Sequence, residues 1–437
     1  MSADGMKDED EHPDMFSGDF TMKLISACKL GDSWRFNAET YINSGANINF
    51  RNADDGKTPI NIAASKGHSE LVVLLIGRGA DLTIVDKWEQ TPLIAACRNS
   101  EYGDNNIIYK KWFDIINNLV NEGSPLNNYD IYGRTPLLIC VDNRDIKSTR
   151  LLVENGADIE GRAKQPFNPT PKYGSRSIDP QNGYTPLWFA VDNNNTIMLE
   201  TLIKLKADVN ATLKYIKQTP LMYSCLKELK DCAKSLINGG ANINLQDRDG
   251  NSALMIACRG GNMVIVKLLI EKGANINLQN SDGNSALMHY YLFGLSALTH
   301  SSINDTHKKQ IDIARMLIDN GADFDFINKY GKSVWELLEE SKADTKTEIE
   351  EMMKNQPEYV DKVSKNVREM TKKLIQGTKK RLDYRTSRSI AIDYMDPHRI
   401  SKQYQEQKTK TNPHKSRTMM SSSTKGGRKT AKNKKKK

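Results

Sequence analysis

Long apolar runs are missing from this 437-residue chain: no stretch reaches 18 consecutive apolar residues, which excludes a membrane-spanning helix by the usual length rule. No secretory leader is expected either. The opening residues carry Asp8, Glu9, Asp10 and Glu11 where a leader needs a basic start and an apolar core. The chain is therefore expected to be soluble and intracellular, in cytoplasm or nucleus. Its six cysteines contain no C-x-x-C pair, so neither a disulfide framework nor a zinc site is expected. The seven histidines form no H-E-x-x-H and no i, i+4 pair, which removes the commonest metal-hydrolase pattern. Gly56-Lys57-Thr58 and Gly331-Lys332-Ser333 look like the end of a phosphate-binding loop. The first glycine of that motif is replaced by Arg51 and Phe326, so no nucleotide is expected, and no cofactor or metal of any kind.

Positive charge is abundant but confined. The formal charge is +9, and residues 401–437 hold 13 Lys or Arg against Glu406, a net of +12 that leaves −3 for the rest. Internal repetition is equally conspicuous. Thr58-Pro59, Thr91-Pro92, Thr135-Pro136, Thr185-Pro186, Thr219-Pro220, Ser252-Ala253, Ser285-Ala286 and Ser333-Val334 follow one another at spacings of 33, 44, 50, 34, 33, 33 and 48 residues. A 33-residue period with insertions near 99–110, 161–181 and 293–307 is the mark of a solenoid. The hydroxyl suits a helix N-cap, and proline at the first helical position gives up a donor that had no partner. Gly-Ala-Asp or Gly-Ala-Asn closes most units, as at Gly79-Ala80-Asp81 and Gly240-Ala241-Asn242, where glycine permits the left-handed turn that ends a helix. Apolar residues at helical spacing lie between, such as Leu71, Leu74 and Leu75. Each unit needs its neighbours to bury that face.

The run Asp55-Gly56-Lys57-Thr58-Pro59-Ile60-Asn61-Ile62-Ala63-Ala64-Ser65-Lys66-Gly67-His68, followed by Gly79-Ala80-Asp81, closely resembles the ankyrin repeat. About eight complete or partial copies follow an N-terminal half-repeat. The expected fold is an all-α repeat solenoid of stacked helix-turn-helix units with finger loops over residues 20–340. An acidic disordered lead (1–19), a charged helical extension (341–400) and a basic disordered tail (401–437) complete the chain. The later copies read Gly-Asn-Ser-Ala-Leu-Met at 250–255 and 283–288, a variant resembling repeat proteins of large DNA viruses of protists, which would place the protein in a host cell.

Two departures from the family pattern stand out. The slot after Thr-Pro-Leu that usually holds His carries Asn61, Ile94, Leu138, Trp188, Met222, Met255 and Met288, so the usual inter-repeat hydrogen bond is in question. Lys206 replaces the stop glycine of its unit, which predicts a local irregularity. Cys28, Cys97, Cys225 and Cys258 share one inner-helix slot, with Cys140 one position earlier, and are expected to pack as small apolar residues rather than act as nucleophiles.

The resemblance implies that partners dock on a concave face made by fingertips and inner-helix ends. Trp88, Tyr132, Arg134, Tyr184, Arg248, Arg259 and Tyr330 are the candidate partner-binding residues there, being aromatic and arginine side chains of the kind that dominate interfaces. Glu89, Lys217, Arg98, Asp142, Asp192 and Lys227 are expected to border the same groove, with mixed charge that favours a protein partner over nucleic acid. The function expected is thus a non-catalytic protein-protein interaction scaffold. Two alternatives stay open. Lys432, Lys434, Lys435, Lys436 and Lys437 suit an import signal or the binding of nucleic acid or anionic lipid. An adaptor of a ubiquitin-ligase-type complex is the other, although no recruitment motif is present. Val360, Val363, Val367, Met370 and Leu374 form an amphipathic stripe two heptads long, which suits a capping helix better than a coiled coil.

Overall fold

A computed structural model describes residues 19–100, 106–164, 183–294, 303–340 and 346–356. The acidic lead before Asp19, most of the insertions, the 360–374 stripe and the basic tail with its terminal lysines lie outside the described residues. The chain divides into two compact units, 1–331 and 332–437.

The first unit is a stack of helix pairs. The odd-numbered helices are the inner ones: α1 (Phe20–Leu30), α3 (Pro59–Lys66), α5 (Pro92–Asn99), α7 (Pro136–Asp142), α9 (Pro186–Asp192), α11 (Pro220–Leu226), α13 (Ala253–Arg259) and α15 (Ala286–His289). The outer row is α2 (Arg35–Asn43), α4 (Ser69–Gly77), α6 (Asn106–Asn121), α8 (Ile146–Glu154), α10 (Thr196–Lys204), α12 (Lys230–Asn238), α14 (Met263–Glu271) and α16 (Ile303–Asp319). Each inner helix packs on the next inner one, and each outer helix on the next outer one, from one end of the unit to the other. Among the described residues there is no strand, only an isolated bridge between Gln246 and Ser252.

The predicted caps form. Thr58, Thr91, Thr135, Thr185, Thr219, Ser252 and Ser285 each accept the N–H three residues on, at 3.2–3.5 Å. The described ends of two insertions lengthen outer helices: α6 runs 16 residues and α16 runs 17, against nine for α4, α8, α10, α12 and α14. The middle insertion is closed at its base, where Ala163 donates to the Tyr184 carbonyl at 3.0 Å. The α15 helix continues into a π turn, Tyr290–Gly294, burying Tyr290 and Tyr291.

Lys206 corrects the sequence expectation. It takes the left-handed conformation itself (φ 72°), and the bonds around it match those at glycine-ended units: Lys206 N–H to Ile203, Ala207 N–H to Leu202. Gly240 and Ala241 pair in the same way with Ile237 and Leu236. Stacking thus overrides a local strain of about 1–2 kcal/mol, and no irregularity results. Two of the residues in the slot that usually holds His also make a long-range hydrogen bond. Asn61 Nδ2 donates to the Gln90 carbonyl at 3.0 Å, and Trp188 Nε1 donates to the Ala211 carbonyl at 2.7 Å. Both residues thereby tie their helix to the loop that follows the outer helix.

A second set of bonds runs along the outer-helix loops. Asn49 accepts the Asp81 N–H, Asn127 the Asp158 N–H, Glu160 the Asp208 N–H, Asn210 the Asn242 N–H, Asn244 the Asn275 N–H and Asn277 the Asp323 N–H, all at 2.7–2.9 Å. One rung is absent. Thr83 stands where the acceptor belongs, and Pro125, which has no N–H, stands where the donor belongs.

All six cysteines are buried. Burial pushes the Cys28 and Cys225 thiols up to about 12, so they are held as neutral, small apolar groups.

In the second unit, α17 (Val334–Glu340) follows a cap in which Glu336 accepts both the N–H and the hydroxyl of Ser333, and α18 (Lys346–Lys354) lies within the expected helical extension. Val334, Trp335, Leu337, Leu338 and Met353 are buried. No described helix is long and apolar enough to cross a membrane.

Candidate partner-binding face

Most of the described fingertips are tight loops braced by an opening Asp or Asn, the finger that opens on Leu213 being the exception. Asp86 Oδ1 accepts the N–H groups of Trp88 and Gln90, both at 2.9 Å. Asp130 does the same for Tyr132 and Arg134, and its second oxygen holds the Arg134 guanidinium at 3.0 Å. One main-chain bond then joins finger to finger: Lys87 N–H to Asp55, Ile131 to Trp88, Arg248 to Ile216, Ser281 to Asp249 and Lys329 to Asp282, at 2.7–3.1 Å. Close passage of the next finger explains the finger glycines. A Cβ on Gly133 would stand 1.9 Å from the Lys164 carbonyl oxygen. Where no glycine is present, Glu89 and Lys217 adopt φ of 56° and 55° themselves.

These fingers set aromatic rings in a row beside cations. Lys57 Nζ lies 5.3 Å from the Trp88 ring centre, and Tyr132 sits between Arg98 at 5.8 Å and Arg134 at 5.3 Å. Arg98 belongs to the end of α5, so the helix ends and the tips of the following unit border one groove. Farther along the groove the helix ends are linked to one another. Asn193 Nδ2 donates to Asp142 at 3.3 Å, and the Tyr223 hydroxyl donates to Asp192. Burial raises the Asp142 carboxyl above the ordinary range, opposed by the Asn193 bond and the Arg134 charge.

Of the predicted site residues, Trp88 (38% exposed), Tyr330 (64%) and Arg248 reach solvent at fingertips, Tyr132 and Arg134 are half-buried in the cation-aromatic stack, and Arg259 lies half-buried at the end of α13. Tyr184 does not belong with them. It is 3% exposed, stacks on Trp188 at 5.4 Å and meets Phe189 edge-on at 5.8 Å. The residue directly before the capping threonine lies under the finger, and an aromatic there joins the core. Tyr215 and Ile216 were missed by spacing alone; they occupy the tip that carries Lys217, and both are largely exposed. The signal for them is the 34-residue spacing from Thr185 to Thr219, one more than the base period.

His289 packs behind this face in α15. Burial first, then the Arg259 charge, lower its pKa from 6.5 to about 4, with Asp282 and a Met255 backbone bond opposing. The unfolded chain therefore binds one more proton than the folded one between those values, and stability is lost as pH falls through that window. Urea unfolding at stepped pH is expected to show a slope of up to about 1.4 kcal/mol per pH unit between about 6.5 and 4, and His289→Gln to remove that part of it. An unchanged slope in the variant contradicts the assignment.

An open cleft of about 860 Å³ lies among the fingers, lined by residues including Val85, Tyr129, Ile131 and Lys164, with Lys164 Nζ 3.8 Å from the Tyr129 ring centre. Among the described residues no three His, Cys, Asp or Glu are placed to hold a metal ion.

Comparison with known proteins agrees with this geometry. The family description "Ankyrin repeats (3 copies)" matches residues 24–111, 171–247 and 221–328, and "Ankyrin repeat" matches 132–164. Ankyrin repeat and KH domain-containing protein mask-1 of Caenorhabditis elegans is 25% identical over 223 residues, covering 48% of this chain and 8% of that protein. The mouse B-cell lymphoma 3 protein homolog is 26% identical over 204 residues, 46% of this chain and 40% of its own length. Ankyrin repeat and SOCS box protein 6 of Pongo abelii is 28% identical over 134 residues, 29% of this chain and 30% of that one. The match thus spans well under half of each of these relatives. Among solved structures, the ankyrin repeat domain of Bcl-3 aligns with a TM-score of 0.45 at 21% identity, over 58% of this chain and 98% of that domain.

Proposed function

Since the chain belongs to the ankyrin repeat family, we propose that it is a non-catalytic interaction scaffold that holds a protein partner across its fingertips and inner-helix ends. The observation that carries this reading is the Trp88 to Arg134 stretch, where two braced tips hold partly exposed rings against Lys57, Arg98 and Arg134. Such rings lose little entropy on binding, because their loops are already fixed. The face is therefore preorganised for contact.

The test compares the full chain with a Trp88→Ala, Tyr132→Ala, Arg134→Ala variant by proximity labelling and pull-down in native cell extract. A specific protein retained by the first is expected to be depleted at least tenfold with the second, since interface anchors of this type contribute about 2 kcal/mol or more each. Equal recovery from both sinks the proposal. A second reading, polyanion binding through residues 401–437, is supported by their net charge of +12. In that case the retained material is nucleic acid or lipid, released by salt and indifferent to the triple variant.

A further inference from the structure

We infer that the stretch of groove over α11 and α13 receives an acidic partner segment that also carries large apolar side chains. This deepens the scaffold reading and rests on it.

The finger before α11 reads Lys214-Tyr215-Ile216-Lys217. Tyr215 is 47% exposed and Ile216 42%, the only finger in the described residues that presents two neighbouring large apolar side chains this openly. They are not loosely held. Leu213 N–H bonds to Gln218 and Lys217 N–H to Leu213, at 3.0 and 3.1 Å, and the Ile216 carbonyl accepts Arg248 N–H from the next finger at 2.9 Å. Across the groove, Leu226 at the end of α11 is 45% exposed. Its neighbour Lys227 stands 5.6 Å from the Tyr223 ring centre. Apolar surface fixed in water on both sides of one groove lacks a partner within its own unit.

Charge identifies that partner. On three other fingers a cation is neutralised, Lys57 by Asp55, Arg134 by Asp130 and Lys329 by Asp282, and Lys87 is held by the Ala53 and Asp54 carbonyls. Around α11 and α13, Lys214, Lys217, Lys227, Arg248 and Arg259 form no ion pair among the described residues. The carboxylates of the same stretch are fewer: Glu228, Asp249, and Asp247, which is engaged with the N–H groups of Asp249 and Asn251. One and two units before α11 the helix ends carry Asp192, which accepts from Tyr223 of α11, and Asp142 instead. An acidic segment seated over α11 and α13 is repelled if it slides toward α7 and α9, so the change of sign fixes its position along the groove. A long nucleic-acid strand, uniformly negative, would have to run over those same aspartates.

The test uses the full chain and fluorescence anisotropy with a labelled 16-residue synthetic peptide alternating Asp or Glu with Leu or Phe. Three comparison probes are a peptide with Lys replacing the acids, one with Ser replacing the apolar residues, and a 16-nucleotide oligo-dT. The acidic apolar peptide is expected to bind at least tenfold more tightly than all three. Lys214→Glu, Lys217→Glu, Arg248→Glu is expected to weaken it at least tenfold. Tyr215→Ala, Ile216→Ala should weaken it about as much without changing net charge, which separates the groove from attraction by the basic residues 401–437. Lys230→Glu, Lys234→Glu, Lys272→Glu, an equal charge change on the outer row, should leave the affinity within threefold. Variants with unchanged circular dichroism melts exclude misfolding, and Lys227→Glu with Arg259→Glu provides a second probe of the helix ends. The inference is overturned by no binding of the acidic apolar peptide, by binding indifferent to the fingertip variants, or by oligo-dT bound as tightly at the same residues. If those results appear while the extract partner still depends on Trp88, Tyr132 and Arg134, only the partner chemistry is wrong. If both fail, the scaffold reading falls too.

Discussion

Gly133→Ala is expected to destabilise the stack by about 3 kcal/mol, combining left-handed strain of about 1–2 kcal/mol with the overpacking of a fixed neighbour. The residue has φ 70°, and the atom its new methyl meets, 1.9 Å away, is the Lys164 carbonyl oxygen, a main-chain group that cannot swing aside. That carbonyl lies one residue past Ala163, which closes the base of the middle insertion, and Lys164 N–H itself bonds to the Gly133 carbonyl at 2.9 Å. Moving this loop segment therefore breaks the joint between two units. Gly79→Ala supplies the comparison. Its φ is 80°, yet nothing lies within 4 Å of the added carbon, so it should cost only the strain. Urea unfolding of both variants checks this; equal losses would mean that the finger approach has no energetic weight.

Trp188→Ala should cost more, about 3–5 kcal/mol, because it removes the largest fully buried side chain described and leaves a void beside Tyr184 and Tyr223. The indole stacks on Tyr184 and meets Tyr223 edge-on at 5.4 Å, and Tyr223 in turn reaches Asp192 on the groove. Trp188→Phe separates the terms. It keeps a ring in place but leaves the buried Ala211 carbonyl without its 2.7 Å donor, a loss of about 1–3 kcal/mol. The result that contradicts this account is a phenylalanine variant as stable as the parent by urea unfolding.

The stack was legible because the residues that start and stop its helices recur at one spacing, and their physics is local: a hydroxyl, a proline, a left-handed glycine. Misreadings arise where tertiary packing decides. Lys206 looks incompatible with a stop position until packing by the adjacent units is counted. Tyr184 looks like a fingertip until Trp188, four residues on, is seen beneath it. The groove was legible only in part. Trp88, Tyr132 and Arg134 could be placed by their slots, but the pairing of Arg98 with the next unit's Tyr132, or of Tyr223 with the previous unit's Asp192, joins residues more than 30 positions apart. No periodicity within one unit encodes such pairs.

The absent rung on the outer edge has a consequence for how the chain is ordered. Thr83 lacks the carboxamide that would accept, and Pro125 lacks the N–H that would donate, so the two omissions meet and leave no group unmatched. Transplanted behind any unit ending in the usual Asn, the unit that contains Pro125 would strand an acceptor. Placed ahead of Pro125, a unit with that Asn would gain nothing from it. At this junction the two units are accordingly matched to each other, unlike those at the six junctions that share the common rung.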